Sequence, residues 1–151
     1  MARPTTFVGS SVAIFLESST VPGTFTRPCG LNSHSATFNK ATTDVLIPDC
    51  DDPEAPAWMG RGVESLDFSA QGSGILAAEA LDDWWAAFNT TEPLRARIYI
   101  GKPTDAVNGR YWEGMVHVTS FEVTGERGNR AQATVSVVSD GELTYHEVAA
   151  A

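Results

Sequence analysis

The stretch that decides the fold is "VTSFEVTGERGNRAQATVSVVSDG", Val118 to Gly141. It reads as two strands around a tight glycine turn. On the first strand Phe121 and Val123 are apolar, while Ser120, Glu122 and Thr124 are polar. On the second, Ala131, Ala133, Val135 and Val137 are apolar, while Gln132, Thr134 and Ser136 are polar. A period of two puts each set on its own face of a half-buried strand. Matching the faces sets Val123 opposite Ala131 and Phe121 opposite Ala133. Glu126-Arg127-Gly128 then forms a three-residue loop, with Gly128 in the left-handed conformation that such loops require. Near His117 the apolar phase slips, because Val116 and Val118 sit on the other parity. A bulge, or a strand crossing between sheets, is expected there.

Working outward, "TFVGSSVAIFL" (Thr6–Leu16) and "SHSATFNK" (Ser33–Lys40) are rich enough in β-formers to predict strands. In "VESLDFSAQGSG", Leu66, Phe68 and Ala70 share one face, and Gly72-Ser73-Gly74 reads as a tight turn ending the strand. "GILAAEALDDWWAAFN" predicts one helix over about 75–88. Its apolar stripe is Leu76, Ala80, Leu81, Trp84, Trp85 and Phe88, with Ser73 as N-cap and Asn89 as the C-terminal stop. "LRARIYIG" turns Leu94, Ala96, Ile98 and Ile100 inward, and a further strand begins at Arg110. Between Ala41 and Gly62 the period disappears. Pro48, Pro53 and Pro56 accompany the acids Asp49, Asp51, Asp52 and Glu54, predicting a long loop. Trp58 and Met59 have little use in a solvated linker, so a loop that orders against a partner fits. The sum is a mainly β protein: two packed antiparallel sheets, a sandwich or barrel, with one flanking helix and one long loop.

Composition sets limits on function. At 151 residues and 42% hydrophobic content, one globular domain spanning 1–151 is expected. The net charge of -9 leaves no basic patch with which to neutralise phosphates, which argues against specific nucleic-acid recognition. "MARPTTFVGSS" predicts neither signal peptide nor membrane segment, hence folding in a cytoplasm. Cys29 and Cys50 accordingly read as reduced thiols. His34, His117 and His146 lie in no nucleophile motif. The run Asp49, Asp51, Asp52, Glu54 fails the EF-hand pattern, with Pro53 in its middle and no loop glycine. Catalytic residues, metal ligands and cofactors are all expected to be absent.

Beyond this the chain resembles the major tail tube proteins of long-tailed bacteriophages and gene transfer agents. The resemblance rests on "CGL" (Cys29–Leu31), "PDCDDPEAPAW" (Pro48–Trp58), "SAQGSGILAAEAL" (Ser69–Leu81), "YWEGMVHVTSFEVTGE" (Tyr111–Glu126) and "ATVSVVSDGEL" (Ala133–Leu143), in order along nearly the whole chain. No second, immunoglobulin-like C-terminal domain is expected, a departure from some relatives. The resemblance implies hexameric rings stacking into a tail tube, with inner sheets merging into one barrel that conducts DNA without binding it specifically. It also implies partner tail proteins at the tube ends, and a particle tail assembled in the host cytoplasm. On that reading Ser120, Glu122, Thr124, Gln132, Thr134 and Ser136 are candidates for the lumen face. Asp49, Asp51, Asp52, Glu54, Trp58, Met59 and Arg61 become the candidate inter-subunit or inter-ring loop. Competing readings are a tail terminator or completion protein that stops at one ring, and a carbohydrate-binding β-sandwich.

Overall fold

The computed structural model describes residues 2–17, 23–104 and 107–148. A 3-10 turn at Gly9–Ser11 leads into β1 (Ala13–Glu17), followed by β2 (Phe25–Thr26), β3 (Leu31–Ile47) and β4 (Trp58–Ile75). Helix α1 (Ala78–Phe88) precedes β5 (Leu94–Ile100), β6 (Arg110–Thr124), β7 (Gln132–Ser139) and β8 (Thr144–Glu147). The protein is mainly β and antiparallel with one helix, as the alternation predicts. Its strands join in one hydrogen-bonded network, in the order β2-β1-β5-β6-β7-β4-β3, with β8 also on β6.

Length explains why two expected sheets are joined. β6 runs 15 residues and serves two sets of neighbours. Its first half, Arg110 to Val116, pairs with β5, and Arg110–Glu113 also pair with β8. Its second half pairs with β7, after a register shift between Val118 and Ser120 where the phase slip predicts a bulge.

Chain contacts divide the protein into two compact units, residues 1–36 with 69–151, and residues 37–68. In the first, the core is built from Ala13, Ile14 and Leu16 of β1, Ala96 and Ile98 of β5, Val116 and Val118 of β6, and Ala133, Val135 and Val137 of β7. The helix buries Ala80, Trp84 and Ala87. Its packing face is therefore narrower than the stripe expected, and Leu81, Trp85 and Phe88 are exposed. Trp84 is 1% exposed and its indole N–H has no hydrogen-bond partner among the described residues. Trp84→Ala should cost about 3–5 kcal/mol. Trp84→Phe should lose clearly less in denaturant melts, since it keeps the ring and removes an unsatisfied donor.

Four boundaries differ from expectation, each for a local reason. The first strand begins at Ala13, not Thr6, because Ser11 bonds back to the Val8 carbonyl and stabilises a turn. The helix begins at Ala78, with Ala77 rather than Ser73 at its N-cap, while Asn89 does close it by donating its N–H to the Trp85 carbonyl (2.8 Å). Gly72-Ser73-Gly74 is no turn but the continuation of β4 along β7. A Cβ on Gly74 would lie 2.6 Å from the Asn32 nitrogen and 2.8 Å from the Gly30 carbonyl, so glycine admits the close approach of β3. The β6–β7 register is two residues from that expected: Val123 faces Ala133, and Phe121 faces Val135. A slip of two keeps every side chain on its face. It arises because the connection is longer, 125–131, and holds a turn in which the Asn129 N–H reaches the Glu126 carbonyl (3.0 Å) and Gly128 has φ +91. The Ala131 carbonyl accepts instead from Leu76 (2.9 Å), outside the β6 ladder.

The second unit is a two-stranded ribbon, and here the long loop expected over 41–62 is corrected. Strand β3 continues to Ile47 and β4 starts at Trp58, leaving only 48–57 as loop. Thr42, Thr43, Val45 and Ile47 favour extended backbone. Their alternation is invisible because both ribbon faces are exposed. The ribbon is pinned by Phe38 tilted against Phe68 (centroids 4.8 Å) and by Arg61 paired with Asp44 (3.0 Å).

Candidate functional site

The six residues singled out on the opening stretch fall into three directly opposed pairs: Ser120 with Ser136, Glu122 with Thr134, and Thr124 with Gln132. Their partners on the other face, Ala133, Val135 and Val137, are buried. The β4 ladder extends this surface, setting Gln71 beside Ser136 and Ser73 beside Thr134. A groove of about 330 Å³ then joins Ser33 and Ser35 of β3 to Gln71, Ser73 and Thr134. These four β3 and β4 residues were missed in sequence. Extending the alternation Ser69, Gln71, Ser73 through the glycines would have found half of them.

The chemistry of this face is plain. Over 31–36, 69–75, 119–124 and 132–139 the only Asp, Glu, Lys or Arg is Glu122. The face offers hydroxyls and amides, which bond water readily, and no cation to hold a phosphate. Its two flanks are unpaired strands. β3 ends the sheet order, and β6 beyond Val118 has β7 on one edge only among the described residues. Such edges are templates for pairing with another chain.

The second set gathers at the tip of the ribbon. Asp49, Asp51, Asp52 and Glu54 lie in the 48–57 loop, and Trp58 and Met59 open β4. The Asp49 carboxylate accepts the Asp51 N–H (2.9 Å), and the Asp52 carbonyl accepts the Ala55 N–H (3.1 Å). The acids are therefore set in turns instead of converging, and no cluster of metal-ligating side chains forms among the described residues. Trp58 is 89% exposed. It walls a cleft of about 420 Å³ with Ile47, Pro48, Asp49, Pro56 and Met59. Arg61 belongs to the ribbon instead, held by Asp44.

One constellation imitates a catalytic relay. Thr144 Oγ1 lies 2.7 Å from His146 Nε2, and Glu113 Oε2 lies 4.0 Å from that same nitrogen. A relay needs hydroxyl and carboxylate on opposite ring nitrogens, so this is a surface network. Glu113 also meets Arg97 (3.4 Å), whose guanidinium lies over the Phe25 and Tyr111 rings at 4.1 and 4.8 Å. Cys29 and Cys50 are both free and exposed. Among the described residues no helix is long and apolar enough to cross a membrane.

Burial pushes the His34 imidazole below its ordinary value of 6.5, helped by the Arg27 cation. In the unfolded chain His34 takes its proton near 6.5, before the folded protein does. Its contribution to stability is thus complete above that pH and is lost as pH falls through the lowered folded value. The melting temperature should fall more steeply between about pH 7 and pH 5 for the wild type than for His34→Gln.

Similarity to known proteins follows the geometry. Across 93% of this chain and 99% of the other, the fold matches the tail of an empty gene transfer agent particle with C6 symmetry (TM-score 0.73, 20% identity). It matches the SPP1 tail tube over 95% of this chain and 81% of the other (TM-score 0.65, 10% identity). It also matches the tube-terminating cap of the anti-feeding prophage over 97% and 95% (TM-score 0.64, 12% identity). No curated protein matches the chain. The profile of the phage tail tube proteins matches residues 6–145. With that match spanning nearly the whole sequence, and a sheet carrying two open edges and a polar face whose one charge is Glu122, the chain belongs to the phage tail tube protein family.

Proposed function

We propose that this chain, as one tail-tube domain, forms hexameric rings that stack into the tube of a phage-like particle and conduct DNA into a bacterial cell. The observation that carries the reading is the four-stranded face β3-β4-β7-β6, polar and almost uncharged, with both flanking edges unpaired. Edge-to-edge pairing of successive copies closes such sheets into a barrel and removes the aggregation hazard of a free edge. The face with Ser120, Glu122, Thr124, Gln132, Thr134 and Ser136 lines the lumen. DNA slides past hydroxyls and amides, and the -9 charge of each copy favours repulsion over adhesion. The ribbon tip contacts the neighbouring subunit or ring, and other tail proteins meet the tube at its ends. Assembly takes place in the host cytoplasm. The chain does no catalysis and holds no cofactor.

Negative-stain microscopy of the purified full chain tests this. Tubes are expected. Single rings would favour a terminator, and persistent monomers would sink the reading.

A further inference from the structure

We infer that the cleft at the ribbon tip receives the arginine-bearing β6–β7 turn of another copy, so that rings stack head to tail through a guanidinium–tryptophan contact. The inference rests on the tube reading and names its axial contact.

Two features of the chain lack partners among the described residues and complement each other. At the tip, Trp58 is 89% exposed beside a cleft walled by Ile47, Pro48, Pro56 and Met59 and edged by the Asp49 carboxylate. Asp51, Asp52 and Glu54 add further negative charge in the same loop, and its nearest cation, Arg61, is spent on Asp44. An apolar aromatic wall with carboxylates at its rim suits a planar, weakly hydrated guanidinium better than a lysine ammonium. The 125–131 turn carries Arg127 and Arg130 within four residues. Neither makes an ion pair among the described residues, whereas Arg61, Arg95, Arg97 and Arg110 all do. Arg3, Arg27, Lys40 and Lys102, which make no ion pair among the described residues either, stand singly along the chain. The protein already holds one guanidinium in this manner, with Arg97 over Phe25 and Tyr111 beside Glu113.

The β4–β7 ladder runs from Ser69 opposite Val138 to Ile75 opposite Gln132. The basic turn joins the ladder at its Gln132 end. A basic turn on one copy meeting an acidic tip on another is a heterologous contact, the kind that leads to open-ended association.

The test compares assembly of full-length variants by sedimentation and negative-stain microscopy. Arg127→Glu with Arg130→Glu should raise the protein concentration needed for tubes by about tenfold or more, leaving monomer melting unchanged because the turn is exposed. Reversing the tip with Asp51→Arg, Asp52→Arg and Glu54→Arg should do the same. Combining both sets in one chain should restore tubes, since every contact then regains opposite charges. Wild-type tubes alongside unimpaired turn variants would overturn the inference and leave the tube reading intact. So would loss of assembly in both sets without recovery in the combination. Normal tubes that retard DNA differently would reassign the turn to nucleic acid and overturn it as well. Wild-type chains that never assemble overturn the tube reading itself, and the inference with it.

Discussion

Particles built with Ser136→Arg are expected to carry tubes of wild-type length yet deliver DNA about a hundredfold less efficiently or worse. Position matters more than charge alone here. Thr134 lies opposite Glu122, which would neutralise an arginine placed there. Ser136 lies between Ser120 and Gln71, so an arginine at that position would face no anion directly across either strand, with Glu122 only a diagonal neighbour. Val135 and Val137 remain buried on the opposite face, so the hairpin keeps its packing. In a sixfold ring the substitution adds six cations per level, repeated along the tube. Each one offers a phosphate contact, and a polyvalent chain passing many such levels is held by their sum. Ser136→Asp should deliver normally, since it deepens repulsion. Phage or particle infectivity, counted against tube length by microscopy, reads both variants. Full infectivity with Ser136→Arg in correctly formed tubes would contradict the lumen assignment.

Trp58→Ala should leave a folded monomer that no longer polymerises. With Trp58 at 89% exposure, truncation removes almost nothing from the isolated chain, so its melt should change by no more than about 0.5 kcal/mol. An aromatic anchor buried at an interface carries about 2–4 kcal/mol. In the proposed tube each ring-to-ring junction would repeat the contact, so a loss of that size at every subunit should suffice to abolish polymerisation. Deleting Asp49–Pro56 should act in the same direction, since it removes the cleft's acidic rim and one of its proline walls together. Tubes of wild-type length from either variant, seen in negative stain, would remove the tip from the assembly contact.

How much of this was legible in the sequence depends on whether one face of each element is buried. Where β7 buries Ala133, Val135 and Val137 and exposes Gln132 and Thr134, the alternation identified the face correctly, including the bulge near His117. The register missed by two because local turn chemistry at 126–129, not the strands, sets the loop length. The ribbon strands within 41–62 were unreadable because Val45, Leu46, Ile47, Trp58 and Met59 are all exposed on the isolated chain. A pattern tuned to one buried face has nothing to detect there. The same reasoning explains α1, whose Leu81, Trp85 and Phe88 extend the apolar stripe beyond what Ala80, Trp84 and Ala87 bury. Ser33, Ser35, Gln71 and Ser73 joined the polar face only once pairing was known, since neighbours across a sheet are distant in sequence.

The central claim is that the β3-β4-β7-β6 face is the wall of a channel. Cryo-electron microscopy of tubes assembled from the full chain measures this directly. Sixfold rings are predicted, with Ser120, Glu122, Thr124, Gln132, Thr134 and Ser136 turned to the lumen and the free β6 edge paired with a neighbour's β3. A tube in which these six side chains point outward, or are buried between subunits, would contradict it.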